Sequence, residues 1–175
     1  MVARTVTVAF EGIEARRVEV QCALSPGLPA FVIVGLPDKA VSEARERVRA
    51  ALASMQIALP SKKVVINMSP ANLPKAGSHF DLPIALAILA ATGIVPEDRV
   101  ARCVSLGELS LDGALVNVAG ALPAALMAAQ ENCDLICPTG SSREAAWVGA
   151  TPVYGADHLA GLIKHLTKDK LIEQA

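Results

Sequence analysis

Residues 64–92 read VVINMSPANLPKAGSHFDLPIALAILAAT, and the other segments of the chain are arranged around them. The apolar run Val64–Met68 predicts a buried strand, and the Pro-, Asn- and Gly-rich run Ser69–His79 predicts a loop. Asp81 is interpreted as the N-cap of a following helix, because its carboxylate could accept hydrogen bonds from the free amides of the first turn. That helix is apolar on nearly every face, so it should be packed on several sides. The polar loop between two buried elements is therefore the predicted functional site.

Composition limits what this site can do. The chain has 175 residues, of which 53% are hydrophobic, a size and composition that suit one compact domain. We expect this domain to cover residues 1–166 and residues 167–175 to form a polar, fraying tail or linker. The formal charge is −1, so no global basic field attracts nucleic acid or an anionic membrane. The absence of a long apolar run or signal-peptide pattern predicts a soluble, cytoplasmic protein with no membrane contact.

The remaining segments predict alternating strands and helices. A hairpin is expected from Thr5–Phe10 and Arg17–Leu24, and a short apolar strand from Ala30–Val34. The later elements are a helix at Lys39–Met55 capped by Asp38, a hairpin of Cys103–Leu109 with Ala114–Val118, a helix at Leu122–Glu131, a strand at Asp134–Cys137, a helix capped by Ser141 or Ser142, a strand at Thr151–Tyr154 and a helix from Asp157 to Leu166. The predicted order is βββ-α-β-α-ββ-α-β-α-β-α. This order indicates an α/β (α+β) sandwich, with helices packed against a mixed sheet.

Neither the charged residues nor the cysteines and histidines indicate a second functional site. The arginines of the helix Lys39–Met55 form, with Lys62 and Lys63, the most basic cluster in the chain. Glu43 and Glu46 dilute this charge, which favours a solvated helix face. The four cysteines lack C-x-x-C spacing and are interpreted as buried free thiols, and the three histidines lack the spacing of a metal site.

Two blocks of sequence carry a family resemblance. They are VGLPDKAVSEARERV at residues 34–48 and NMSPANLPKAGSHFDLPIA at residues 67–85. Both resemble the opening domain of the YifB/ComM family of magnesium-chelatase-like AAA+ ATPases, and the similarity extends through Gly107-Glu108-Leu109 to about Leu166. The resemblance implies a fold like that of the Lon proteolytic domain, which is the ribosomal-protein-like α/β fold.

The same resemblance implies a function for a longer protein. Members of this family are hexameric, ATP-driven motors on DNA, and ComM-type members are helicases that drive branch migration during natural transformation. ATP and Mg would then be cofactors of the full-length protein, and DNA would be its partner. This chain contains no G-x-x-x-x-G-K-[ST] phosphate loop, so we expect no cofactor here. Its implied partner is the AAA+ domain of its own chain.

Lon-like domains cleave peptides with a Ser nucleophile and a Lys base. In that family the Ser lies four residues after the Lys of P-K-x-G, a position that falls on His79 here. The base lies nine residues after the Gly that closes G-E-x-x-L-x-G, which Gly107–Gly113 matches, and this position falls on Leu122. The resemblance therefore implies a degenerate dyad with no catalytic residue. We expect His79 and Leu122 to face each other, with Leu122 in the core beside the central helix.

Three functions remain open at this stage. The preferred one is a non-catalytic accessory domain of the ATPase. A second is an anion-binding module, in which Lys75, Ser78 and backbone amides at a helix N-terminus hold phosphate, although Asp81 places a negative charge at the same terminus. The third is a Ser-dependent peptidase that uses Ser78 with Lys75 or His79. The candidate interaction loop for all three consists of Asn72, Lys75, Gly77, Ser78, His79 and Asp81, although Asn72, Ser78 and Asp81 could also serve only turn and cap amides.

Overall fold

The computed structural model describes residues 2–175. Its strands are β1 (Val2–Glu11), β2 (Glu14–Ser25), β3 (Ala30–Val34), β4 (Lys63–Ser69), β5 (Cys103–Ser105), β6 (Glu108–Leu109), β7 (Leu115–Val116), β8 (Asp134–Pro138) and β9 (Val153–Ala156). Its helices are α1 (Asp38–Ser54), α2 (Asp81–Ala91), α3 (Glu97–Ala101), α4 (Ala121–Gln130), α5 (Thr139–Ala146) and α6 (Leu159–Leu166). The predicted α/β class is confirmed.

Seven strands form one mixed sheet in the order β3-β4-β2-β1-β5-β8-β9. The long hairpin β1–β2 is its antiparallel centre, and β4 pairs antiparallel with β2 at Cys22↔Ile66. Strand β3 lies parallel to β4, while β5, β8 and β9 follow parallel to β1 on the other side. Strands β6 and β7 form a separate small hairpin. The sheet therefore has β3 at one edge and β9 at the other.

Alternation along the strands produces a hydrophobic core on each face of the sheet. On β1, Ala3 and Ala9 belong to the core that includes α1, α2 and α6, whereas Val6 and Val8 belong to the core of α4 and α5. Helix α2 lies in the first core with ten of its eleven residues buried, Asp81–Ala90. The expectation that this helix is packed on several sides is confirmed, and its N-terminus is placed deep in the molecule.

Local capping was predicted less well than the elements themselves. Pro37 is the N-cap of α1 and Pro138 is the N-cap of α5, and neither helix has a side-chain cap. The caps assigned to Asp38, Ser141 and Ser142 are therefore wrong. Ser141 Oγ instead donates to Val118 O at 3.2 Å, and Ser142 Oγ donates to Thr139 O at 2.7 Å. These serines lie inside the helix, where a hydroxyl can bond a nearby carbonyl.

Two chain segments differ from the expected pattern. The predicted strand Cys103–Leu109 is divided into β5 and β6, because the peptide of Gly107 bonds to the start of α2 instead of continuing the ladder. The tail 167–175 packs back onto the domain: Ile172 N–H donates to His165 Nδ1 at 3.0 Å, and Ala175 N–H donates to Val153 O at 2.9 Å. The prediction that this tail frays is wrong. Its role as a linker stays a prediction.

The cysteine thiols lie mostly in the interior of the domain. All four cysteines are free; Cys22, Cys103 and Cys137 are buried as predicted, while Cys133 is half-buried. Burial raises the pKa of Cys22 to about 11 and the pKa of Cys103 and Cys137 to about 12, so these thiols are poor nucleophiles at neutral pH. None of the helices within residues 2–175 is long and apolar enough to cross a lipid bilayer.

Candidate functional site

Lys75 closes the loop between β4 and α2. Its Nζ donates to Pro70 O at 2.6 Å and to Leu73 O at 2.9 Å, and the residue is only 3% exposed. Burial lowers the pKa of this ammonium group. Because two donors of the ammonium are used inside the loop, Lys75 holds the loop together and does not project toward a ligand.

We expect Lys75→Met to loosen this loop without unfolding the domain. The substitution keeps most of the side-chain volume but removes two hydrogen bonds made by a charged donor. Each such bond contributes about 1.5–3 kcal/mol to stability. Hydrogen exchange of the amides in residues 70–80 should become at least about tenfold faster, while the amides of β1 and β2 stay protected.

Lys164→Met, which replaces an exposed lysine on α6, is the matched control and should leave both sets of amides unchanged. Unchanged exchange in the loop of the Lys75 variant would contradict the closing role of Lys75.

His79 lies two positions before the first residue of α2 and is also buried, at 5% exposure. Its ring lies between Phe80, with centroids 4.1 Å apart, and Phe10, with centroids 5.2 Å apart. Its Nε2 is 2.7 Å from Val8 O, a carbonyl on β1 beyond the point where β5 pairs with β1. Burial lowers the pKa of His79, while the hydrogen bond to Val8 raises it, so burial is the larger influence. The ring therefore serves as a neutral donor that satisfies a strand carbonyl.

The backbone around His79 makes room for this ring. Gly77 has φ 107°, in the left-handed region that favours glycine, and a Cβ there would lie 2.9 Å from His79 Nδ1. His79 O accepts from Gly107 N–H at 3.0 Å, and Gly107 O accepts from Leu82 N–H at 3.0 Å. The start of α2 is thus held by the peptide of Gly107.

Asp81 is not the N-cap of α2. The cap is Phe80 and has no side-chain cap bond. The Asp81 carboxylate instead accepts from Arg47 Nε at 2.6 Å, from Arg47 Nη2 at 3.1 Å and from Leu109 N–H at 3.0 Å. The side chain of Asp81 is 1% exposed and that of Arg47 is 23% exposed. The carboxylate therefore joins α1, α2 and β6 at one point.

Burial has the larger influence on the Asp81 carboxyl and raises its pKa, while the hydrogen bonds from Arg47 and Leu109 lower it. The hydrogen bond to Asp81 raises the pKa of Arg47, which stays charged. The interpretation of the α1 arginines as a solvated face is wrong for Arg47. A sequence signal existed, since an acidic residue entering an otherwise apolar helix needs a buried cationic partner.

Leu122 differs from its predicted position. It lies in the first turn of α4, is 37% exposed, and lines an open groove of about 620 Å³ with Phe10, Ile13 and Leu126. The prediction that Leu122 fills the core beside α2 is wrong, because α4 belongs to the core on the other face of the sheet.

Phe10 packs on His79 and also lines the groove of Leu122. Sequence reasoning missed Phe10 because it looked like one more apolar strand residue. The assignment of His79 and Leu122 as dyad positions stays a prediction.

The rest of the loop is more open. Asn72 and Gly77 are exposed and Ser78 is half-buried. Within residues 2–175 the Ser78 hydroxyl makes no hydrogen bond to Lys75 or His79, the two bases considered for it. The same residues contain no group of three or more His, Cys, Asp or Glu side chains placed to hold a metal ion. The loop brings Lys75, His79 and Asp81 together in sequence, but each side chain bonds to a different part of the fold.

Comparisons with known proteins give a consistent result. A family model described as Subunit ChlI of Mg-chelatase matches residues 18–141. The chain is 39% identical over 158 residues to Competence protein ComM of Haemophilus influenzae, covering 90% of this chain and 31% of that protein. It is 36% identical over 168 residues to protein YifB of Escherichia coli, covering 96% and 33%. It is 38% identical over 160 residues to protein Mb2921c of Mycobacterium bovis, covering 91% and 32%. The chain thus spans about a third of the length of these relatives.

Proposed function

This chain belongs to the magnesium-chelatase-like YifB/ComM family, and we propose that it acts as a non-catalytic accessory domain within a longer ATP-driven DNA motor. In this proposal the other two thirds of such a protein contain the AAA+ domain, which binds ATP and Mg. The complete protein assembles as a homohexamer in the cytoplasm and migrates DNA branches during recombination or natural transformation. The word competence in the name of the Haemophilus influenzae relative supports the pathway.

One observation carries the accessory role. The polar groups that could act as base, nucleophile partner or phosphate ligand form hydrogen bonds within the fold: Lys75 bonds Pro70 and Leu73, His79 bonds Val8, and Asp81 bonds Arg47. A general base must be within hydrogen-bond reach of the proton that it removes. The domain therefore contributes a rigid surface to the motor, and the chemistry takes place elsewhere in the protein.

The test compares this purified chain with the complete protein encoded by its gene. With Mg, ATP and duplex DNA, we expect the complete protein to release phosphate and the chain to release none above background. We also expect binding of ATP to the chain to be weaker than about 10 μM by calorimetry. Phosphate release by the chain, or a complete protein without ATPase activity, would overturn the proposal.

A second measurement separates the peptidase alternative. Neither the chain nor its Ser78→Ala variant should cleave casein, and Ser42→Ala, an exposed serine on α1, is the matched control. Cleavage by the wild-type chain that is abolished in Ser78→Ala and retained in Ser42→Ala would establish a Ser-dependent hydrolase instead.

A further inference from the structure

Strand β3 is an open edge of the seven-stranded sheet. The opposite edge, β9, is covered by the tail through the bridge Tyr154↔Gln174, but within residues 2–175 no strand pairs with the outer side of β3. Ala30 N–H donates to Lys62 O, so the peptide groups of Ala30 face β4. Because peptide groups alternate sides along a strand, the N–H and C=O groups of Phe31 and Ile33 face the open side.

An apolar groove runs directly beside this edge. It has a volume of about 410 Å³, and its lining includes Phe31 of β3, Ala53 of α1, and Ile57 and Leu59 of the segment that follows α1. Its lining contains no acidic residue and one cation, Arg49, whose guanidinium carbon lies 5.9 Å from the centroid of the Phe31 ring. An apolar side chain of a partner could therefore enter the groove next to the strand edge.

Four cations lie on the elements next to β3: Arg45 and Arg49 on α1, Lys62 just before β4, and Lys63, the β4 partner of Ala30. Arg45 Nη1 donates to Phe31 O at 3.3 Å, so it covers the outward carbonyl in the free domain. Within residues 2–175 none of these four cations forms an ion pair. Glu46 lies between the two arginines on α1 but pairs with neither of them. Four unpaired cations beside an open edge are complementary to an acidic partner.

We infer that the outer edge of β3 binds an extended acidic peptide segment. The segment adds a strand to the sheet by bonding the peptide groups of Phe31 and Ile33, as in β-strand addition. One apolar side chain enters the groove, and carboxylates on either side pair with Arg45 and Arg49. A nucleic acid could pair with the cations, but it has no backbone amide groups to bond with the strand edge. A peptide can make both kinds of interaction, so the structure favours a peptide. This inference does not depend on the absence of catalysis in the domain.

The test uses a labelled peptide of about eight residues that alternates Glu with Val or Leu, long enough to span the edge strand. Binding is followed by fluorescence anisotropy, and its site by NMR shifts and exchange of the backbone amides. We expect slower exchange of the Phe31 and Ile33 amides. Each exposed ion pair should contribute about twofold to fivefold to the affinity. The Arg45→Gln/Arg49→Gln double variant, which removes two of them, should therefore weaken binding about fivefold or more. Lys164→Gln, an exposed cation on α6, should leave the affinity unchanged.

Two matched probes decide the binding mode. The same peptide with alternate amides N-methylated keeps its charge but cannot pair with a strand, so it should lose binding. A labelled single-stranded oligonucleotide of equal charge should bind more weakly than the peptide. Equal binding of the N-methylated peptide, shifts confined to another surface, a dissociation constant above about 1 mM, or tighter binding of the oligonucleotide would each overturn the inference. Thermal unfolding of the double variant checks that its fold is intact.

Discussion

Replacing Arg47 with Met should lower the free energy of unfolding by about 3–5 kcal/mol, because it leaves a buried carboxylate without its counter-ion. Asp81 is 1% exposed, and two of its three hydrogen bonds come from Arg47. The third, from Leu109 N–H, cannot neutralise the charge. Urea unfolding at about pH 7 measures the loss, and Arg49→Met is the matched control because Arg49 is exposed on the same helix. The control should change the free energy by about 0.5 kcal/mol or less.

A pH series tests whether the loss comes from the buried charge. Burial already raises the pKa of Asp81, and removal of Arg47 should raise it further. Where the folded-state pKa of an acid exceeds the unfolded value, the folded state binds more protons, so stability falls as pH rises through that window. The deficit of Arg47→Met relative to wild type should therefore shrink between about pH 7 and about pH 5.

The double variant Arg47→Met/Asp81→Leu should recover most of the lost stability, because it leaves no unpaired charge. A pH-independent deficit, or a double variant less stable than Arg47→Met alone, would contradict the role of the pair.

His79→Ala should destabilise the domain by about 2–4 kcal/mol, because it opens a cavity between Phe10 and Phe80 and leaves Val8 O without its donor. Leu122→Lys should change the free energy by about 0.5 kcal/mol or less, because residue 122 lies at an exposed position on α4. The double variant that would restore a Ser–Lys pair, His79→Ser/Leu122→Lys, should then lose stability through residue 79 alone. A large loss in Leu122→Lys would show that this side chain belongs to the core after all.

The protonation of His79 gives this prediction a second readout. Burial lowers the pKa of His79 below its ordinary value of 6.5, so below that pH the unfolded chain binds more protons than the folded one. The wild-type domain should therefore lose stability as pH falls below about 6.5. His165 has a pKa lowered mainly by burial and acts in the same direction. His79→Gln should make the pH dependence shallower without abolishing it, and an unchanged slope would contradict a neutral buried imidazole.

Local sequence patterns were sufficient for most of the elements and for the order of those elements along the chain. Val64–Met68, the apolar helix after Asp81 and the Asp-Gly turn at Asp112 each report nearest-neighbour preferences, which hold whatever the rest of the chain does. The quoted blocks around residues 34–48 and 67–85 likewise predicted the family. The short helix α3 was missed, since five residues carry too little periodicity to be recognised.

Tertiary structure decided what the polar residues of the loop do. The partner of Asp81 lies 34 residues away, and the partner of His79 lies 71 residues away on the central strand. Asp81 as an N-cap was a sound local prediction. However, the carbonyl of Gly107 accepts the hydrogen bond from Leu82 N–H in the first turn of α2, so the Asp81 carboxylate is free to pair with Arg47. Leu122 lies away from α2 because its helix packs on the opposite face of the sheet, and it is exposed because that helix buries Ala121, Ala124 and Ala125 instead. The sequence shows which polar groups need a hydrogen-bonding or charged partner. Packing between segments that are distant in the chain determines which residue that partner is, and local sequence patterns do not report this packing.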